Sequence, residues 1–178
     1  MAVMIEFMLA GMGQTAPWGN DAVIKAISTQ MANAGGFGSF DKAPLFLKEG
    51  LLFPNLSGLK FVAHFRRKHP WGRINRIYAK PPLSSEHILH PQLYESYERP
   101  DEVVATTLKA VPGAAIVHHD VNGELGTLVW LLEHGVKRPR AELAAAGWGG
   151  DRTAVLAPKQ RNGLNGVVGV SKSVWDDE

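Results

Sequence analysis

Apolar positions along this chain recur every three or four residues far more often than every second one, so helices dominate the expected structure. Met1, Met4, Ile5, Met8, Leu9 and Met12 fall at helical spacing and predict a core-facing first helix. Asn20 or Asp21 can cap a second helix with Ile24, Ile27 and Met31 inside, and Gly35, Gly36, Phe37 and Gly38 break it. Asp41, with Pro44 just inside, opens a third helix through about Phe53. Asn55 or Ser57 opens a fourth, burying Leu59, Phe61, Val62 and Phe65 and ending at Pro70. Trp71, Ile74 and Tyr78 form the stripe of a fifth, stopped by Pro81 and Pro82. A short helix then runs from Ser84 to Pro91, and Glu95 to Pro112 is polar and partly loop.

The pattern changes in the last third. Ala114 to His118 predicts a strand, and Asp120 a cap for a helix to Gly135 with Leu125, Leu128, Val129 and Leu132 inside. Ala141 to Ala146 predicts another short helix, ended by Gly147. Two β-rich runs flank Arg161, Asn162 and Gly163, where Asn-Gly favours a hairpin turn. The expectation is an α+β fold, helix-dominated: a helical bundle-like core, a short strand near 114–118 and a small β-hairpin near 153–175. No repeat or linker divides it, so 1–178 is expected to be one domain. The first helix begins at full apolar strength without a cap, and no closing element follows Trp175. The domain is therefore expected to be a fragment of a longer one at both ends.

Composition narrows the function classes. At 178 residues, 45% hydrophobic and with a net charge of +2, the chain is too apolar and too weakly charged to be disordered. No apolar run approaches the roughly 18 residues that a membrane span needs. The apolar start lacks a basic region before it, carries Glu6 and has no convincing cleavage site, so it does not read as a signal peptide; compartment stays open. Without cysteine there are no disulfides, thiolate nucleophiles or cysteine-held metals. H-E-x-x-H, G-x-G-x-x-G and G-x-S-x-G are all missing from the chain.

Histidines and basic residues are the remaining chemistry. His87 and His90 are three apart and Glu86 and His90 four apart, so on one helix they could converge, although Pro91 ends that helix at once. His118 and His119 lie beside Asp120 and Glu124 at a strand-to-helix junction, where strand geometry points the two rings to opposite faces. His87, His90, His118 and His119 are the candidate metal ligands, against a plainer reading as hydrogen-bonded residues at helix starts. From Gly50 to Ser85 there is no acid, while Lys60, Arg66, Arg67, Lys68, Arg73, Arg76 and Lys80 are basic. Such a face attracts phosphate. Its aromatics sit at core spacing, however, and Glu95, Glu98, Asp101 and Glu102 follow closely, so a solvated surface or pairing with that acidic segment is favoured over nucleic acid.

The stretch from Pro81 to Tyr94, P-P-L-S-S-E-H-I-L-H-P-Q-L-Y, resembles a segment of a bacterial and archaeal family of predicted zinc metallopeptidases, whose pattern is approximately P-P-x-[ST]-[ST]-E-Q-[IV]-L-H-P-x-x-Y. His87 stands where that family usually has glutamine. Asp120 to Leu125 is similar to the family's D-x-x-G-E-[LF] helix start, and Ala144 to Arg152 to its A-A-G-W-G-G-D-R segment. The resemblance implies a gluzincin-like plan, in which an H-E-x-x-H helix and a downstream glutamate bind zinc and polarise a water. Both elements would precede Met1, so zinc is implied only for a complete member and no ligand is carried over to this chain.

Three functions are expected in descending order. The first is the non-catalytic downstream part of such a zincin-like fold, lacking peptidase activity as it stands. Its first helix would then pack on an upstream segment or on a second copy. Glu86 and His90 would be its candidate catalytic-cleft residues, with His90 placed to stabilise an oxyanion. The second is a structural or binding module using the basic 60–80 face toward nucleic acid or an acidic partner. The third is an independent metal hydrolase built on the four histidines.

Overall fold

A computed structural model describes residues 2–33, 40, 42–104, 114–158 and 166–176. The protein is α+β, as the spacing predicts. Among the described residues there are eight α-helices, one 3-10 turn and one three-stranded antiparallel sheet. By internal contacts the chain divides into two compact units, Met1–Leu83 with His87–Tyr97, and Ser84–Glu86 with Glu98–Glu178.

The first unit is helical. It contains α1 (Ala2–Gly11), α2 (Asp21–Asn33), α3 (Leu45–Arg66), α4 (Trp71–Ile74), a 3-10 turn (Asn75–Tyr78), most of α5 (Ser85–Leu89) and α6 (Pro91–Ser96). Asn20 caps α2 as expected, its Oδ1 accepting the N–H groups of Ala22 and Val23 at 3.1 and 3.2 Å. Ile24 is buried and Ile27 half-buried, while the side chain of Met31 and the segment 34–39 lie outside the described residues. So does Asp41.

The expectations for α1 and α3 are corrected. The α1 face turned inward is Ala2, Ile5, Glu6 and Leu9, whereas Met4, Met8 and Met12 are exposed. The helix is apolar on every side, so periodicity cannot choose a face; Glu6 chooses it by reaching Arg66 and Trp18. The expected third and fourth helices are one helix, α3, which runs straight through Pro54. Pro54 cannot donate to the Gly50 carbonyl, and an interior proline costs about 3 kcal/mol. Burial of Leu59, Phe61, Ala63 and Phe65 further along α3 outweighs that cost. Asn55 does not open a helix; its Nδ2 donates to the Leu51 carbonyl at 3.3 Å.

Pro70 sits at the N-cap of α4, and Ile74 is buried as predicted. Tyr78 is 88% exposed, because the tightening to 3-10 geometry brings Ile77 inward in its place. Pro91 ends α5 and also begins α6 at its first turn, where a missing N–H costs nothing. That helix occupies part of what reads as polar loop.

The second unit packs α7 (Gly123–Glu133) and α8 (Arg138–Ala145) with the sheet β1 (Ala114–Asp120), β2 (Trp148–Pro158) and β3 (Val168–Trp175). The order is β1-β2-β3, so β2 is central. Trp148 pairs with Trp175 and Leu156 with Val168, which gives the expected hairpin; its Asn162-Gly163 turn lies outside the described residues. Ala114 pairs with Pro158 and Asp120 with Thr153, joining β1 to the other edge. Alternation along β2 buries Ala154 and Leu156, and the α7–α8 layer closes over Leu128, Ala141 and Ala145.

Candidate functional site

Most of the chemistry in the second unit gathers where α7 begins. Asn122 occupies the N-cap position but does not cap with its own side chain. Asp120 does not cap α7 either, which corrects the sequence expectation. It is the last residue of β1, largely exposed, and its Oδ1 accepts only the neighbouring Val121 N–H, at 2.8 Å. The cap comes instead from Asp151 on β2. Its Oδ2 accepts the Asn122 N–H at 3.0 Å, and its Oδ1 accepts the Gly123 N–H and the Trp148 indole N–H, both at 2.9 Å. Asp151 is 5% exposed, so three donors satisfy a buried carboxylate placed at the favourable end of the helix dipole.

Ser85 completes the first turn by accepting the Leu125 N–H at 3.1 Å. The approach is close: a Cβ on Gly123, whose φ is +69°, would stand 2.7 Å from Ser85 Oγ. Gly150 has a different reason to be glycine, since a Cβ there would run into the backbone carbonyl of Asp101. Asp101 in turn donates its N–H to the Gly149 carbonyl at 2.7 Å. Arg152 reaches the Val103 carbonyl at 3.2 Å. Asn122 Nδ2 donates to Thr153 Oγ1 at 2.7 Å, and Thr153 shares a 3.0 Å hydrogen bond with Ser171. A cavity of about 230 Å³ opens beside this network, between Trp130, Thr127 and Trp175.

The predicted site residues are dispersed. Glu86 is 3% exposed in the first turn of α5, in the second unit. His90 is half-buried and lies beyond the end of α5 at φ −122°, ψ 78°, so the helical i,i+4 relation to Glu86 is broken. His87 is fully buried, and its Nδ1 accepts the Leu83 N–H at 3.2 Å. That bond uses one ring nitrogen as an acceptor. Its ring stands 5.7 Å from both Tyr94 and Tyr97, within a cluster of edge contacts that includes Phe61 and Phe65. Tyr97 closes α6 in the left-handed conformation, φ 56°.

His118 and His119 are exposed on β1, where the register shifts between Ile116 and His118, and His118 Nε2 lies 3.8 Å from Asp120. Among the described residues no three histidine, aspartate or glutamate side chains group in a way that could hold a metal ion. Sequence reasoning missed Asp151. The available signal was weak: aspartate is depleted in strands, but here it stands beside Arg152 and Thr153 and reads as part of a polar strand segment.

The basic run is resolved into two kinds of residue. Arg66 forks onto Glu6, Arg67 pairs with Asp21, and Lys68 and His64 share Glu95 at 3.2 and 3.0 Å. Hydrogen bonds from Arg66 hold the Glu6 carboxyl below the usual carboxylate range, and those from His64, then Lys68, do the same for Glu95. Arg73 and Arg76 have no carboxylate partner among the described residues.

Comparison with known protein families, with curated proteins and with solved structures gives no match to this chain.

Proposed function

We propose that this chain is the non-catalytic downstream part of a zinc-metallopeptidase-like protein, without peptidase activity as it stands. One observation supports the reading above the others: the three stretches that carry the resemblance meet in one place. Ser85 comes from the first, Asn122, Gly123 and Leu125 from the second, and Trp148 and Asp151 from the third. Three sequence stretches that cooperate in one hydrogen-bonded helix start are what a shared architecture requires. In this reading they are fold determinants rather than catalytic groups. The exposed outer face of α1, with Val3, Met4, Phe7 and Met8, is then the surface on which the metal-holding segment packs.

In this reading inactivity is expected, because the sequence holds no H-E-x-x-H to position zinc and its water. The purified chain is expected to leave unfolded casein uncut, with and without added zinc. Coding DNA ahead of the Met1 codon is expected to carry an in-frame H-E-x-x-H. Cleavage that a chelator abolishes would overturn the first expectation, and an upstream frame lacking the motif would overturn the second.

A second reading, a binding module acting through the basic 60–80 face, is favoured by a different observation: Arg73 and Arg76 line one cavity while their neighbours are neutralised.

A further inference from the structure

Arg73, Arg76 and Lys80 follow one another at spacings of three and four, which places them on one face of α4 and the turn that continues it. Ile74 and Ile77, each one position on from an arginine, anchor that segment in the aromatic core and form part of the wall of the same cavity. All three cations are exposed, and they line a cavity of about 240 Å³ together with Phe65, His69 and Tyr94. Tyr94 is pinned there by its hydroxyl, which donates to the Lys80 carbonyl at 2.6 Å. The Lys80 ammonium rests 3.4 Å above the ring of Tyr97.

Three consecutive cations just before this segment are neutralised. Arg66, Arg67 and Lys68 each face a carboxylate, and those carboxylates are Glu6, Asp21 and Glu95. Around the cavity no acid plays that part among the described residues, so like charges are concentrated at a concave surface, where an anion relieves their repulsion. We propose that this cavity binds a small phosphate-bearing ligand through Arg73, Arg76 and Lys80. Guanidinium forks match the paired oxygens of a phosphoryl group, and the Phe65 and Tyr94 edges offer an apolar wall for a compact organic body. The volume falls below the roughly 300–1,000 Å³ of pockets for drug-sized ligands, so the ligand is small. A nucleic-acid strand fits less well. Arg66, Arg67 and Lys68 are committed to carboxylates, which leaves a cluster of cations rather than a track along which a backbone could run. The inference rests on the basic-face reading and is independent of the metallopeptidase-like one.

The test is titration of the full chain, at low ionic strength, with inorganic phosphate, pyrophosphate and phenyl phosphate, followed by amide chemical shifts. Saturable shifts confined to residues 69–80 and 94 are expected for all three probes, with phenyl phosphate binding more tightly than phosphate. Arg73→Ala and Arg76→Ala are each expected to weaken binding about tenfold, the loss typical of one charged hydrogen bond. Lys60→Ala, outside the cavity, is expected to change nothing, and thermal unfolding checks that each variant folds. Shifts that do not saturate in the millimolar range, or that sodium chloride reproduces at equal concentration, would overturn the proposal. So would a single-stranded oligonucleotide that binds more tightly than the three probes and is insensitive to both arginine substitutions. Catalytic inactivity of the chain has no bearing on any of these outcomes.

Discussion

Asp151→Ala is expected to lower stability by about 4 kcal/mol, the largest effect of any single substitution considered for this protein. The carboxylate is buried and accepts from the Asn122 N–H, the Gly123 N–H and the Trp148 indole. Alanine leaves those donors facing a gap, and an orphaned buried donor costs about 1–3 kcal/mol. Losing a helix cap alone costs about 1 kcal/mol. The terms overlap, because the two backbone donors are the cap, so the sum stays near 4 rather than above it. Asp151→Asn keeps the shape and one acceptor oxygen but turns an amide NH₂ toward a donor, and about half the loss is expected. Urea unfolding followed by circular dichroism measures both. A loss under about 1 kcal/mol for Asp151→Ala would mean that α7 is started by something else.

Glu6→Gln is expected to cost about 2 kcal/mol, through the first unit. Glu6 is the polar residue on the inner face of α1, and it accepts from Arg66 twice, at 2.7 and 3.1 Å, and from Trp18 at 2.8 Å. Two charge-assisted bonds in fork geometry are stronger than an exposed ion pair, and glutamine retains at most one acceptor toward them. The effect carries a pH dependence of definite sign. Arg66 depresses the Glu6 pKa in the folded chain, so the stabilisation is present above the unfolded carboxylate value of about 4.3 and is lost as pH falls through the folded value. Glu95 adds to the same acid-side loss through His64 and Lys68. Unfolding free energy measured from pH 7 to pH 3 should therefore drop more steeply in the wild type than in Glu6→Gln. Parallel curves would contradict the ion pair.

Elements whose ends are written locally were legible in the sequence. Asn20 at α2, Pro91 after α5 and Gly147 after α8 each act on the few residues beside them, and the structure places those ends within a residue or two. Elements decided at a distance were not. Pro54 looks like a helix end until the buried face beyond it is counted. An α1 that is apolar apart from Glu6 hides its orientation, which depends on Arg66, 60 residues away. The α7 cap hides for the same reason, since Asp151 lies 28 residues from Gly123 while Asp120 stands temptingly close. The candidate site shared this fate. His87 resembles a ligand by spacing, yet burial and the Leu83 N–H give it a structural task that spacing cannot show. The basic run looked uniform, and only its partners separate Arg66, Arg67 and Lys68 from Arg73 and Arg76.

That the resemblance-bearing stretches build the start of α7 can be tested by native-state hydrogen exchange at the amides of Asn122, Gly123 and Leu125. These groups have no partner within their own helix, so only Asp151 and Ser85 can protect them. Protection at all three is expected to match that of β2, with Leu125 losing it in Ser85→Ala. Exchange at the rate of solvent-exposed amides in the wild-type protein would contradict it.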